Sequence, residues 1–143
     1  MYSRYTSDAP CNRAEHGISA MRASNVERYR QYAKTCQNTD YSKPGSVRAH
    51  NRAVTNMYKT VEKAAAEGNQ AIQALAILLD EPMTREWLAF QLLDKVRDVP
   101  PDLEQKCLQI IQGIANDPSR YADAFGSREW LKRWEQEHQI SSR

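Results

Sequence analysis

The stretch from Gly68 to Arg97, GNQAIQALAILLDEPMTREWLAFQLLDKVR, leaves this chain few ways to fold. Its first half places Ala71, Ile72, Ala74, Leu75, Ile77, Leu78 and Leu79 on nearly every side of a helix predicted from Asn69 to Leu79. A helix with so little polar face is stable only when other helices surround it. Asp80-Glu81-Pro82 breaks the run, and Thr84 is placed to cap a second helix ending near Val96. There Trp87, Leu88, Ala89, Leu92, Leu93 and Val96 form one broad stripe, while Arg85, Glu86, Gln91, Asp94 and Lys95 face elsewhere. Two helices joined by so tight a corner form the unit that stacks in helical-repeat proteins.

The rest of the chain continues the helical pattern. Residues 1–23 are polar and aperiodic, which predicts a disordered extension. Ser24 and Glu27 have capping-box spacing, and Val26, Tyr29, Ala33 and Cys36 mark a thin apolar face behind them. A longer helix is expected from Pro44 or Ser46 to Glu67, with Val47, Val54 and Val61 repeating every seven residues and Gly68 as a left-handed stop. Pro100-Pro101-Asp102 opens a further helix whose stripe is Leu103, Cys107, Ile110, Ile111 and Ile114. Tyr121, Ala124 and Phe125 suggest a short turn of helix. Ser127 opens a last helix with Trp130, Leu131 and Trp134 inward. The expectation is an all-α fold of about six helices, an α-α superhelix or HEAT-like stack of antiparallel helix pairs, with a closed bundle as the alternative. Residues 24–138 form the single helical domain in this reading, and residues 139–143 a polar tail.

Composition narrows the functions. No stretch has the ~18 consecutive apolar residues of a membrane span, and the polar start lacks the apolar core of a secretory signal, so a cytoplasmic protein with no membrane partner is expected. Cys11, Cys36 and Cys107 are too scattered for a disulfide framework or a zinc site. His16 and His138 lie near the ends, and His50 stands alone on a helix. There is no H-E-x-x-H, phosphate loop or C-x-x-C. A nucleophile–base pair, a metal site or a cofactor site is therefore not expected, and the protein reads as a non-enzyme. Trp87, Trp130 and Trp134 sit at amphipathic spacing that favours core packing over binding anchors.

Charge is divided unevenly. Residues 1–60 hold ten Lys/Arg against four Asp/Glu, and residues 61–143 hold ten against fourteen. The basic half interleaves Arg28, Arg30, Arg48, Arg52 and Lys59 with tyrosines, a pattern that can track a phosphate backbone. The acidic half places Glu86, Asp94 and Asp98 near one face of a helix, with Glu104 across the Pro-Pro corner.

From Asn51 onward the motifs are Asn51-Arg52 with Lys59, then Gly68, A-L-x-x-L-L-D-x-P from Ala74 to Pro82, W-L-A-x-x-L-L from Trp87 to Leu93, and Trp130-x-x-x-Trp134. In these features the chain resembles the bacterial DUF2019 family, over about two-thirds of its length. The resemblance implies a HEAT-like fold, and small freestanding members resemble immunity proteins of polymorphic toxins. The expected function is thus a non-enzymatic protein-binding module, an immunity protein that covers the active site of a cognate toxin encoded nearby. Glu86, Asp94, Asp98 and Glu104 are the expected partner face. A nucleic-acid-binding stack using Arg28, Arg30, Arg48, Arg52 and Lys59 is the alternative, and a scaffold subunit a third reading.

Overall fold

The computed structural model describes residues 25–141, with side chains through His138. Among the described residues there are six α-helices and no strand: α1 over 25–37, α2 Pro44–Glu67, α3 Asn69–Leu75, α4 Arg85–Lys95, α5 Pro101–Ala115 and α6 Tyr121–Ser141, with a 3-10 helix Ala76–Asp80 after α3. The all-α expectation holds. The expected extension over residues 1–23 and the Ser24 cap lie outside the described residues. No described helix is long and apolar enough to cross a membrane. By its contacts the chain divides into two compact units, the first ending at Leu78 and the second beginning at Leu79.

In the first unit α1 and α2 form a hairpin. The Asn25 side chain, in the first turn of α1, donates to Glu67 at the end of α2 (3.0 Å). Val26, Tyr29, Ala33 and Cys36 are all buried, as their spacing predicts. The loop between the helices is closed locally, since the Asp40 carboxylate accepts from the Ser42 N–H (3.0 Å) and hydroxyl (2.6 Å). Those two bonds hold the Asp40 pKa below the usual carboxylate value. Pro44 then occupies the first helical position of α2, where a missing N–H costs nothing.

The buried face of α2 is Ala53, Met57, Thr60, Val61 and Ala64. This corrects the valine heptad, because Val47 and Val54 are only half-buried. The Thr60 hydroxyl stays satisfied inside this face by donating to the Asn56 carbonyl (2.8 Å). Gly68 ends α2 with a positive φ of 115°, but its ψ of −179° is extended rather than left-handed helical. One residue serves two helices there. Its N–H donates to Ala64 (3.1 Å), and its carbonyl accepts from Ala71 (3.1 Å) and Ile72 (3.2 Å). The helix expected from Asn69 to Leu79 keeps α-geometry only to Leu75, then tightens, a common way for helices to end. Ile77 is left 51% exposed, so the all-round burial expected of this stretch is not met there.

In the second unit the acid-Pro corner is a turn in which the Glu81 carbonyl accepts from the Thr84 (3.2 Å) and Arg85 (2.9 Å) amides. Thr84 stands at the cap position, yet its hydroxyl bonds backward to the Glu81 carbonyl (3.4 Å) and makes no capping bond. The α4 core face is Leu88, Ala89, Gln91 and Leu92; Gln91 is inside, contrary to its expected outward position. α5 begins with Pro101 in its first turn, has Asp102 and Glu104 near its positive end, and buries Leu103, Cys107, Ile111, Ile114 and Ala115. Burial pushes the Cys107 thiol up to about 12, leaving it protonated and inert at neutral pH.

α6 is one continuous helix, not a short turn followed by a second start, and it runs through the expected tail to Ser141. Ser127 is therefore a buried mid-helix residue rather than a cap. Gly126 costs such a helix only about 1 kcal/mol, and Ala124 and Ser127 beside it are buried.

Gly68 gives the test of this architecture. Its φ/ψ pair is accessible almost only to glycine, while nothing lies within 4 Å of where a Cβ would stand. Gly68→Ala should therefore lower unfolding free energy by about 1–3 kcal/mol through backbone strain alone. Urea denaturation showing no loss would mean that this junction is not held in the extended positive-φ conformation.

Candidate functional site

α4 and α6 run side by side in the same direction, and α5 returns between them. The direction is shown by two cross-ties. At the start of α4, Glu86 takes both ends of the Arg120 guanidinium, one contact being Arg120 Nη2 to Glu86 Oε1 at 2.8 Å. Two turns on, Asp94 accepts from the Trp130 indole N–H (3.2 Å). Between the ties, Phe90 meets Trp130 edge to face, with ring centroids 5.3 Å apart. The helices thus border a groove, and Ile114 of α5 forms part of its floor.

Along this groove lie two separate clefts that share no lining residue. The first, about 440 Å³, is lined by Glu86, Trp87, Phe90, Arg120, Asp123 and Ser127, among others. Arg120 also donates to Asp123 (3.0 Å), and these two carboxylates raise its pKa further above the usual arginine value. The second, about 240 Å³, is bounded by Leu93, Asp94, Trp130, Trp134, Glu137 and His138. Here the rings form a ladder on α6: Trp130 and Trp134 are near-parallel at 6.5 Å, and His138 stacks on Trp134 at 3.8 Å. The His138 ring is oriented by its Nδ1, 2.8 Å from the Trp134 carbonyl.

Part of Asp94 reaches solvent, yet desolvation raises its pKa above the ordinary value. Glu137 pushes the same way. The Trp130 hydrogen bond, Lys95 and Arg133 pull against them without cancelling the rise.

The four acids of the expected partner face do not lie together. Glu86 and Asp94 line the groove, but Glu86 is already bound to Arg120. Asp98 is not on the helix at all, because α4 ends at Lys95 and Val96 leaves in an extended conformation. Glu104 sits in the first turn of α5 and lines neither cleft. The tryptophans are corrected too. Trp87, Trp130 and Trp134 are each half-buried on the walls, not packed in the core. The signal in the sequence was the spacing of Trp130, Trp134 and His138, four residues apart, which stacks their rings along one helix face.

Of the five basic residues of the alternative reading, Arg48, Arg52 and Lys59 share one exposed face of α2. Arg28 is exposed on α1, and Arg30 is tied to Glu27 (2.6 Å). His50 lies 3.0 Å from the Thr39 hydroxyl and beside the Tyr41 ring, an arrangement that orders the α1–α2 loop. Among the described residues no group of three or more His, Cys, Asp and Glu could hold a metal ion.

No protein-family model matches the sequence, and no curated protein or solved structure matches it.

Two predictions come from the walls. Glu86→Lys would set two cations against each other, so it should lower the melting temperature. Adding Arg120→Glu should restore part of the loss. The coupling in that double-mutant cycle should be about 1 kcal/mol, as for a half-exposed forked ion pair. Additive effects would show that the tie contributes nothing.

Asp94 has the opposite sign. A carboxylate whose folded pKa is raised favours the folded state most when protonated, and loses that contribution as pH rises through the raised value. At pH 7 Asp94→Asn, which keeps an oxygen for the Trp130 N–H, should raise the melting temperature by about 2 °C. The gain should shrink as pH falls below the Asp94 pKa. A lower melting temperature at pH 7 would show that Lys95 and Arg133 stabilise the charge more than desolvation penalises it.

Proposed function

We propose that this chain is a non-enzymatic protein-binding module and that the groove between α4 and α6 is its partner site. The observation that carries the reading is the set of half-buried aromatic side chains on the groove walls: Trp87, Phe90, Trp130 and Trp134. Large rings fixed beside carboxylates at a water-accessible cleft are the chemistry of binding hot spots, where a few aromatics carry most of the affinity. Core tryptophans would instead be sealed by their neighbours. The walls are also pre-ordered. Glu86–Arg120 and Asp94–Trp130 hold both sides before a partner arrives, so little side-chain freedom is lost on binding.

The finer reading is an immunity protein that covers the active site of a cognate bacterial toxin. It takes up the motif resemblance read from Asn51 onward, which no family model matches, and is supported by the charge of the second unit. Residues 79–143 hold twelve Asp/Glu against nine Lys/Arg, and a negative surface steers association with a basic active site. Inhibition in this mechanism is steric: the partner's substrate is excluded where the groove seats.

The test is capture from the native host after nuclease treatment, with the wild-type chain and Trp134→Ala side by side. One protein at equal stoichiometry, held at least about tenfold more weakly by Trp134→Ala, is the expected result. Circular dichroism should show the same helix content for both chains. A partner held equally by both would remove the groove from the reading, and no captured protein would remove the module itself. Rescue of cells expressing the captured protein would distinguish an immunity role from that of a scaffold subunit.

A further inference from the structure

We infer that the outward face of α2 is a second binding surface, one that takes the phosphate backbone of a nucleic acid. This goes beyond the groove and does not depend on it. Arg48, Arg52 and Lys59 stand four and seven residues apart, which on a 3.6-residue turn places them within about 40° of arc, and Asn51 and Thr55 share that exposed side. Lys63 continues the row one turn later, with the exposed Glu62 beside it. The opposite side of the helix is the buried one, carrying Ala53, Met57, Val61 and Ala64.

Three features separate this ridge from an ordinary solvated helix. No acidic residue occurs from Tyr41 to Val61, so for most of its length the face contains no carboxylate to neutralise it. Among the described residues, Arg48, Arg52 and Lys59 make no ion pair, whereas Arg30, Lys43, Lys106, Arg120 and Lys132 each do. The charge is also local. Residues 25–78 hold eight Lys/Arg against four Asp/Glu, although the whole chain is only +2. Cations left unpaired on a rigid support are ready to release the counterions condensed on a polyanion, and that release supplies most of the free energy of backbone binding.

The dimensions fit. Arg48 to Lys59 spans about 16 Å of helix at 1.5 Å per residue. A duplex strand carries one phosphate per ~3.4 Å of its axis, so the three cations face a run of about five phosphates. Two of those cations are guanidiniums, which can grip a phosphate with two parallel hydrogen bonds. Asn51 adds an amide between them, while the Thr55 hydroxyl is turned back onto the Asn51 carbonyl (3.1 Å). Contacts of this kind position a backbone and carry no sequence preference.

The experiment is a salt titration of binding by fluorescence anisotropy, using a 24-base-pair duplex and a 24-nucleotide single strand as probes. The full chain should bind at least one of them at low salt, with affinity falling steeply as salt rises. Arg48→Ala/Arg52→Ala/Lys59→Ala should weaken binding at least about tenfold and reduce the slope of log affinity against log salt by about 2–3, since each lost phosphate contact removes ~0.9. The exposed positions make misfolding of this variant avoidable, and its unfolding transition is recorded alongside. Trp134→Ala should bind the probes like the wild type, which separates this surface from the groove. No binding to either probe at about 50 mM salt overturns the inference. So does an unchanged slope in the triple variant, and so does equal affinity for phosphatidylserine vesicles, which would mark a general anionic surface instead.

Discussion

α5 is the element on which the second unit depends. Its stripe of Leu103, Cys107, Ile111 and Ile114 is buried, and both α4 and α6 settle against this one helix. Burial of each such aliphatic side chain is worth about 1.5–3 kcal/mol, enough to fix two neighbours on one central support. A helix that packs two others side by side leaves a furrow where the outer two fail to close. Here that furrow is kept open rather than collapsed. The Glu86–Arg120 fork and the Phe90–Trp130 contact set the separation of the walls, and Ile114 sits beneath them.

What could be read from the sequence follows the range of the interaction. The helices were legible because periodicity, Pro44, Pro101 and Gly68 act within a few residues. The buried face of α1 and most of the α5 stripe followed for the same reason, although Ile110 is only half-buried. The groove was not legible, because Glu86 meets Arg120 across 34 residues and Asp94 meets Trp130 across 36, and no local pattern announces either pairing. Polar side chains misled in both directions. Gln91 lies inside although its chemistry pointed out, while the tryptophans stop halfway because α6 flanks a cleft instead of closing it. Asp98 failed for a local reason, since the backbone leaves the helix at Val96.

The division of charge takes on structural content once each unit is described by itself. In the first, Arg48, Arg52 and Lys59 stand on one face of α2 with no acid between them along the chain. In the second, Glu86 and Asp123 on the groove are both paired with Arg120. An unpaired row acts at a distance and loses force as salt rises. Paired charges beside aromatic rings act at contact and give shape more than reach. The same modest net charge therefore conceals two different arrangements of charge.

The loops before α2 and α6 are built alike. Asp117 accepts from the Ser119 N–H (3.0 Å) and hydroxyl (2.6 Å), as Asp40 does from Ser42, so in each case one carboxylate closes a three-residue span. Closing so short a span costs little chain entropy compared with bringing distant segments together. Among the described residues the closest helix packing is likewise between neighbours along the chain: α2 with α3, α4 with α5, and α5 with α6. A chain whose turns tie themselves and whose helices find their partners next door has few long searches to make. Local closure of this kind favours fast folding and shortens the time for which apolar surfaces are exposed to competing chains.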